Sequence, residues 1–279
     1  MWRMRVVHAT GYAYKSPVTA SFNEARLTPR SDSRQNVILN RVETVPATRS
    51  YRYVDYFGTA VTAFDLHAPH TELEVTASSV VETDKPEPPT TKVTWEDLAG
   101  EAVIDRFDEY LTPTQYTPAS KRIERVGRRI AKYHEPEEAV IEAARWVAAE
   151  LKYVSGTTGV HSSGLDALRE GKGVCQDFAH LTLILLRGMG IPARYVSGYL
   201  HPKPKAKIGD TIEGQSHAWL QAWTGSWWNY DPTNDTEINE RYISVGVGRD
   251  YSDVSPLKGI YSGEGSTDLD VIVEITRLA

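Results

Sequence analysis

The sequence predicts an α+β protein: an antiparallel β-sandwich, then a unit in which helices pack on an antiparallel sheet. Three observations predict it. Residues 1–83 alternate apolar and polar side chains with a period of two and show no helical period. Residues 84–91 then hold Pro86, Pro88 and Pro89, which suit neither a helix interior nor a central strand. Beyond them apolar residues recur at helical spacing before alternation resumes.

The first alternation sets Trp2, Met4, Val6 and His8 on one side. Further runs cover 37–45, 51–56, 60–66 and 72–81, with a turn at Phe57, Gly58 and Thr59. They are rich in β-branched and aromatic residues, which suit a half-buried pleated surface. The proline stretch marks the boundary, giving a β-rich domain over 1–84 and a second domain over 85–279. Helices are expected over 101–111, 118–133 and from Pro136 to about Leu151, the last with Val140, Ala143, Ala144 and Val147 on one face. The arginines of 118–133 read as a solvated outer face. Residues 153–164 read as a Ser-, Thr- and Gly-rich loop. After Cys175 the apolar run 181–186 reads as a buried helix ended by Gly188 and Gly190. Strands follow at 191–200, 216–223, 227–233 and 269–275, with 201–215 a polar loop.

Composition narrows the function. In 279 residues, 41% are hydrophobic and 24% charged, as in an ordinary globular chain with a sizeable core. A net charge of −6 with no dominant basic block argues against a nucleic-acid partner. The N-terminus lacks a secretory pattern, and no apolar run reaches the roughly 18 residues of a membrane helix. One cysteine rules out an internal disulfide and fits a reducing cytoplasm. His8, His67, His70, His134, His161 and His201 show no metal-ligand spacing.

That cysteine organises the second domain. A glycine-rich lead-in, 170–173, places Cys175 in the first turn of its helix. Amides there lack intrahelical acceptors and carry partial positive charge, which favours a thiolate. A nucleophilic thiol needs an imidazole to move its proton and a polar group to orient that imidazole. His217 begins one strand of a predicted hairpin and Asp231 ends the other. If Thr224, Gly225 and Ser226 form the turn, Trp223 pairs with Trp227, and His217 and Asp231 share a face one diagonal step apart. An even-numbered turn would separate them. His180 is about 140° around the helix from Cys175 and is read as structural. Asp177 is read as a helix-dipole carboxylate, Gln176 as a cap or a substrate contact, and Arg194 as a strand-end salt bridge. Lys203, Lys205 and Lys207 read as a solvated loop.

Taken together, Gly-Val-Cys-Gln-Asp-Phe-Ala-His (173–180), Gly-Ile-Pro-Ala-Arg-Tyr-Val-Ser-Gly-Tyr (190–199), Ser-His-Ala-Trp (216–219) and Asp-Pro-Thr-Asn (231–234) resemble the bacterial transglutaminase-like family of the papain-like superfamily. Residues 248–259 resemble that family's C-terminal part, and the first 80 residues its β-rich N-terminal region. The resemblance implies a papain-like core with the cysteine helix on an antiparallel sheet, and Cys175, His217 and Asp231 as nucleophile, base and orienting acid. It calls for no metal or organic cofactor, and for a peptide or protein substrate rather than a membrane or nucleic acid. The expected chemistry is acyl transfer through a cysteine thioester, with hydrolysis as the leading outcome (cysteine protease or amidase). Transamidation of glutamine, or ligation, is the alternative; a non-catalytic binding module would not need all three residues. The Cys175 amide is one oxyanion donor, and a side chain from Tyr153 to His161 could supply another. Trp219 and Trp223, on the His217 side of the hairpin, are either an acyl-acceptor channel or packing.

Overall fold

A computed structural model describes residues 1–87, 91–156, 159 and 161–279, with backbone alone over 266–270. Pro88, Pro89 and Thr90 of the proline stretch, and residues 157, 158 and 160 of the predicted loop, lie outside the described residues. The chain first forms β1 (Trp2–Val18), β2 (Ala20–Ala25), β3 (Gln35–Val45), β4 (Ser50–Val54), β5 (Ala60–Leu66) and β6 (His70–Thr83). Helices α1 (Trp95–Leu98), α2 (Glu101–Leu111), α3 (Lys121–Ala131) and α4 (Pro136–Glu150) follow. Next come β7 (Lys152–Tyr153), α5 (Gly164–Glu170), β8 (Lys172–Gly173), α6 (Cys175–Gly188), β9 (Ala193–Leu200), β10 (Thr211–Gly214), β11 (His217–Trp223) and β12 (Trp227–Asp231). The chain closes with β13 (Thr236–Glu237), β14 (Tyr242–Gly248), α7 (Tyr251–Val254), β15 (Leu257–Ser262) and β16 (Ser266–Arg277).

Three antiparallel sheets run β10-β16-β1-β6-β3, β15-β2-β5-β4 and β13-β12-β11-β9-β14, and β7 pairs with β8 in parallel. The alternation of β1 explains how they join. Its even-numbered face meets the β9–β14 sheet with Trp2, Met4 and Val6, which pack with Tyr199, Ile243 and Val245. Further along, Tyr14 packs with Phe64, Leu66 and Leu257 of the second sheet. One strand face thus serves two cores.

Two expectations change here. Residues 211–214 form an edge strand on β16 rather than loop. The last strands do not extend the second domain: β16 pairs with β1 and β15 with β2. The alternation of 269–275 marks a strand, but the partner lies at the opposite end of the chain, beyond any local signal.

In the core α6 is enclosed. Residues 177–187 are all buried, as expected of a helix apolar on every side. Val140, Ala143 and Val147 of α4, Ile123 of α3 and Ala167 of α5 pack with it, and Ala218, Leu220 and Ala222 bring β11 into the same cluster. Among the described residues no helix is long and apolar enough to cross a membrane.

Two buried imidazoles stiffen these joints. His8 Nδ1 lies 2.9 Å from the Tyr199 hydroxyl, linking the N-terminal sheet to the core; burial lowers its pKa to about 4. His180 accepts the Tyr251 N–H at Nε2, 3.2 Å away, between the rings of Tyr116 and Tyr195 at 5.1 and 5.0 Å. Burial, then the charge of Arg187, lowers its pKa to about 3. Both groups are depressed below the unfolded value of about 6.5, so their stabilisation is complete above that pH. It is lost as pH falls through 6.5 toward 4 and 3, where the unfolded chain takes up protons the folded one refuses. The melting temperature of the wild type is therefore expected to fall more steeply between pH 6.5 and 4.5 than that of His8→Gln. Parallel slopes in calorimetry would contradict this.

Candidate active site

The strand pair β7–β8 lays Tyr153 beside Gly173, and the Val154 N–H donates to the Gly173 carbonyl at 3.0 Å. Two residues later α6 begins at Cys175. Its hydrogen-bond ladder opens with the amides of Asp177 and Phe178 donating to the Val174 carbonyl at 2.9 and 3.2 Å, so the Cys175 amide lies ahead of the ladder. Asp177 Oδ2 accepts the Val174 N–H at 2.8 Å, closing the helix start from inside. Gly173 has to be glycine: a Cβ there would stand 2.7 Å from the Asp177 carboxylate. Cys175 is half-buried, a free thiol.

The hairpin supplies the other two groups. Trp223 pairs with Trp227 across the three-residue turn, and Gly225 takes φ 107°. The odd turn keeps parity, so His217 and Asp231 fall on one face. The His217 Nε2 lies 2.7 Å from Asp231 Oδ2. Asp231 is wholly buried yet amply bonded. Its Oδ1 accepts the amides of Thr233 (2.9 Å) and Asn234 (3.3 Å), and its Oδ2 accepts Asn234 Nδ2 (2.6 Å) and the Tyr242 hydroxyl (2.8 Å). Burial pushes its pKa up, but the bonds and charge of His217 and the bonds from Asn234 and Tyr242 prevail and lower it.

An ionised carboxylate only accepts, so Nε2 of His217 carries its hydrogen and Nδ1 is the nitrogen left to take a proton. Burial disfavours the imidazolium, but bonds and charge from Asp231 and Cys175 outweigh it and raise the pKa. The body of α6 packs on the opposite face of β11, so thiol and imidazole meet where the strand begins. Trp219 stacks on His217, with centroids 6.1 Å apart and planes at 28°. Its Nε1 donates to Asn229 Oδ1 at 2.9 Å. Gly198, paired with His217, makes room for it: a Cβ would lie 2.6 Å from the indole and 2.1 Å from the Ile243 carbonyl. Gly198→Ala is expected to cost at least about 1–3 kcal/mol through overpacking, read from denaturant unfolding; unaltered stability would contradict the packing described.

The remaining candidates divide. Tyr153 is half-exposed and close enough to feel Cys175: burial first, then the charges of Cys175 and Asp231, raises its pKa despite a bond with Ser155. Gln176 is half-buried next to Cys175. Trp219 is wholly buried, so it backs the imidazole instead of lining a channel. Trp223 packs against Phe107 at 4.8 Å. His161 is exposed and lines a separate cleft with Tyr12, Tyr116 and Tyr251. Among the described residues Arg194 makes no salt bridge; it lies 4.2 Å over the Trp227 ring and donates to Gln221 Oε1 at 2.7 Å. Two contributors escaped sequence reasoning. Asn234 stood in the Asp-Pro-Thr-Asn run without a role. Tyr242, on β14, carried no local signal. Among the described residues no group of three His, Cys, Asp or Glu side chains is gathered to hold a metal.

Comparison with known proteins gives the family of the chain. Residues 4–82 match the bacterial transglutaminase-like N-terminal region and residues 124–232 the transglutaminase-like superfamily. The chain is 74% identical to the uncharacterized protein ML0607 of Mycobacterium leprae, over 100% of both chains. It is 35% identical to the uncharacterized protein Rv2569c of Mycobacterium tuberculosis, over 98% of this chain and 92% of that one. A crystal structure from Cytophaga hutchinsonii, described as a proposed cysteine protease, superposes with a TM-score of 0.77 at 21% identity, covering 100% of this chain and 91% of the other, and so shares the fold. With its N-terminal sheets, its enclosed cysteine helix and these matches, the chain belongs to the bacterial transglutaminase-like family.

Proposed function

We propose that the protein is a thiol-dependent acyl-transfer enzyme acting on peptide or amide bonds, with water as the acceptor. The observation that carries this reading is the His217 ring, bonded to Asp231 at Nε2 and close enough to Cys175 for the thiol to help raise its pKa. In this scheme Nδ1 of His217 holds the proton taken from the thiol, and the thiolate sulfur bonds to the carbonyl carbon. The tetrahedral intermediate collapses, and the amine leaves with the proton from Nδ1. Water then attacks the thioester while His217 accepts its proton. Collapse releases the carboxylic acid product and returns the proton to sulfur. Asp231 fixes the tautomer and balances the imidazolium, as an orienting acid does.

The Cys175 amide and the Tyr153 hydroxyl are the proposed donors to the oxyanion. The raised pKa of Tyr153 keeps it a neutral donor at physiological pH. Tyr153→Phe is expected to lower kcat by roughly 10²-fold with little change in KM; a loss confined to KM would assign Tyr153 to binding instead.

Alkylation by iodoacetamide across pH tests the reading as a whole. The Cys175 profile should change when His217 is replaced by alanine, and an identical profile would refute the pairing. A glutamine peptide incubated with a labelled amine separates acceptors. Free acid and ammonia support hydrolysis, and labelled peptide would assign transamidation.

A further inference from the structure

A second cleft, of about 530 Å³, opens between the N-terminal sheets and the core. Its walls carry Tyr12 and Tyr14 of β1, Tyr261 of β15, and Tyr116 and Tyr251 of the core. The rings are mutually packed: Tyr14 and Tyr261 lie 5.1 Å apart, Tyr12 and Tyr14 6.3 Å, and Tyr116 and Tyr251 6.2 Å. Lys258 is the one permanently charged side chain among its described lining, which suits neither a polyanion nor a strongly charged small ligand. Tyrosine side chains instead give rigid, amphipathic contact area at small entropic cost.

The backbone adds a second feature. β15 is an edge strand, and residues 258–262 are exposed. The Arg26 N–H donates to the Pro256 carbonyl at 2.8 Å, which sets the phase of the antiparallel ladder. Lys258 and Ile260 then exchange bonds with β2, and Gly259 turns its N–H and C=O away from β2, along the cleft's rim. A sheet edge beside aromatic side-chain pockets is the arrangement that accepts an added strand.

The cleft also adjoins α6, the helix that begins at Cys175. Tyr251 donates its amide to His180, and His180 is stacked between Tyr116 and Tyr195. Tyr195 is buried against His180 on the side away from Tyr116.

We propose that this tyrosine cleft is a polypeptide-binding groove, in which an extended stretch of a protein substrate lies along the edge of β15. The inference rests on the acyl-transfer reading of Cys175 and names its substrate class: an unfolded or extended polypeptide, not a small amide or a glycan.

The test uses the full chain as Cys175→Ala, so that binding is read without turnover, and β-casein as an unfolded, proline-rich probe. Fluorescence anisotropy of labelled β-casein is expected to show saturable binding. Hydrogen exchange is expected to show slowed amides over 257–262 in the complex. Adding Tyr12→Ala and Tyr261→Ala should weaken binding by at least about tenfold. No binding, unchanged exchange along β15, or unchanged affinity in the triple variant would each overturn the proposal. Protection of β15 by chitohexaose but not by β-casein would overturn the polypeptide class. The exchange arm needs no cleft variant, so a variant that fails to fold leaves it decisive. The acyl-transfer reading fails separately, through the iodoacetamide profile of the wild type, and that outcome leaves these binding results standing.

Discussion

Replacing His217 with alanine is expected to slow acylation of Cys175 by ~10²–10⁴-fold, the usual worth of a positioned acid–base group. The variant should stay folded. Asp231 would keep the Thr233 and Asn234 amides, the Asn234 side chain and the Tyr242 hydroxyl as donors. Trp219 would keep its bond to Asn229. The loss therefore belongs to chemistry, and circular dichroism with pre-steady-state release of p-nitrophenol from p-nitrophenyl acetate separates the two. A variant that acylates at the wild-type rate would leave the imidazole without a role. One that unfolds would show that His217 holds the site together.

Asp231→Asn is expected to be severe for two reasons that a side-chain-for-side-chain comparison hides. All the neighbours of Asp231 donate: His217, Tyr242 and Asn234 Nδ2 to Oδ2, and two backbone amides to Oδ1. An amide NH₂ in either orientation would face donors, leaving buried polar groups unsatisfied at about 1–3 kcal/mol. The bonds and charge that hold the imidazolium would also be lost, so the pKa of His217 should fall. Turnover should drop on the order of 10⁴-fold, as when the orienting acid of such a site is neutralised. Ring NMR of His217 against pH reads the pKa change directly. An unmoved titration would mean that Asp231 does not govern the imidazole.

Much of this site could be read before the fold was known, because its determinants are local. Parity in a short hairpin fixes which residues share a face, and Thr224, Gly225 and Ser226 sufficed to bring His217 and Asp231 together. Helix-start signals around Gly173 placed Cys175. What could not be read depends on distant chain. Tyr242 reaches Asp231 from β14, and β14 pairs with β9 through a register shift between Ser244 and Gly246 that no periodicity announces. The pairing of β15 and β16 with β2 and β1 joins the two ends of the chain, so the boundary at residue 84 describes the sequence better than it describes the packing. Short elements were also lost. Helix α5 is seven residues long and rests on a capping box in which Ser163 and Asp166 bond reciprocally. In the sequence its serines and glycine resemble loop. For Trp219, parity gave its place beside His217 but no information on depth, so channel and packing both stayed open until its burial was seen.

In the proposed reaction Cys175, activated by His217, carries the acyl group. Intact-protein and peptide mass spectrometry after brief exposure to p-nitrophenyl acetate tests it most directly. A single acetyl group, located on Cys175, is expected to form rapidly in the wild type, slowly in His217→Ala, and to disappear as water completes the cycle. An acetyl group found on lysines instead, or one that forms on Cys175 equally fast without His217, would contradict it.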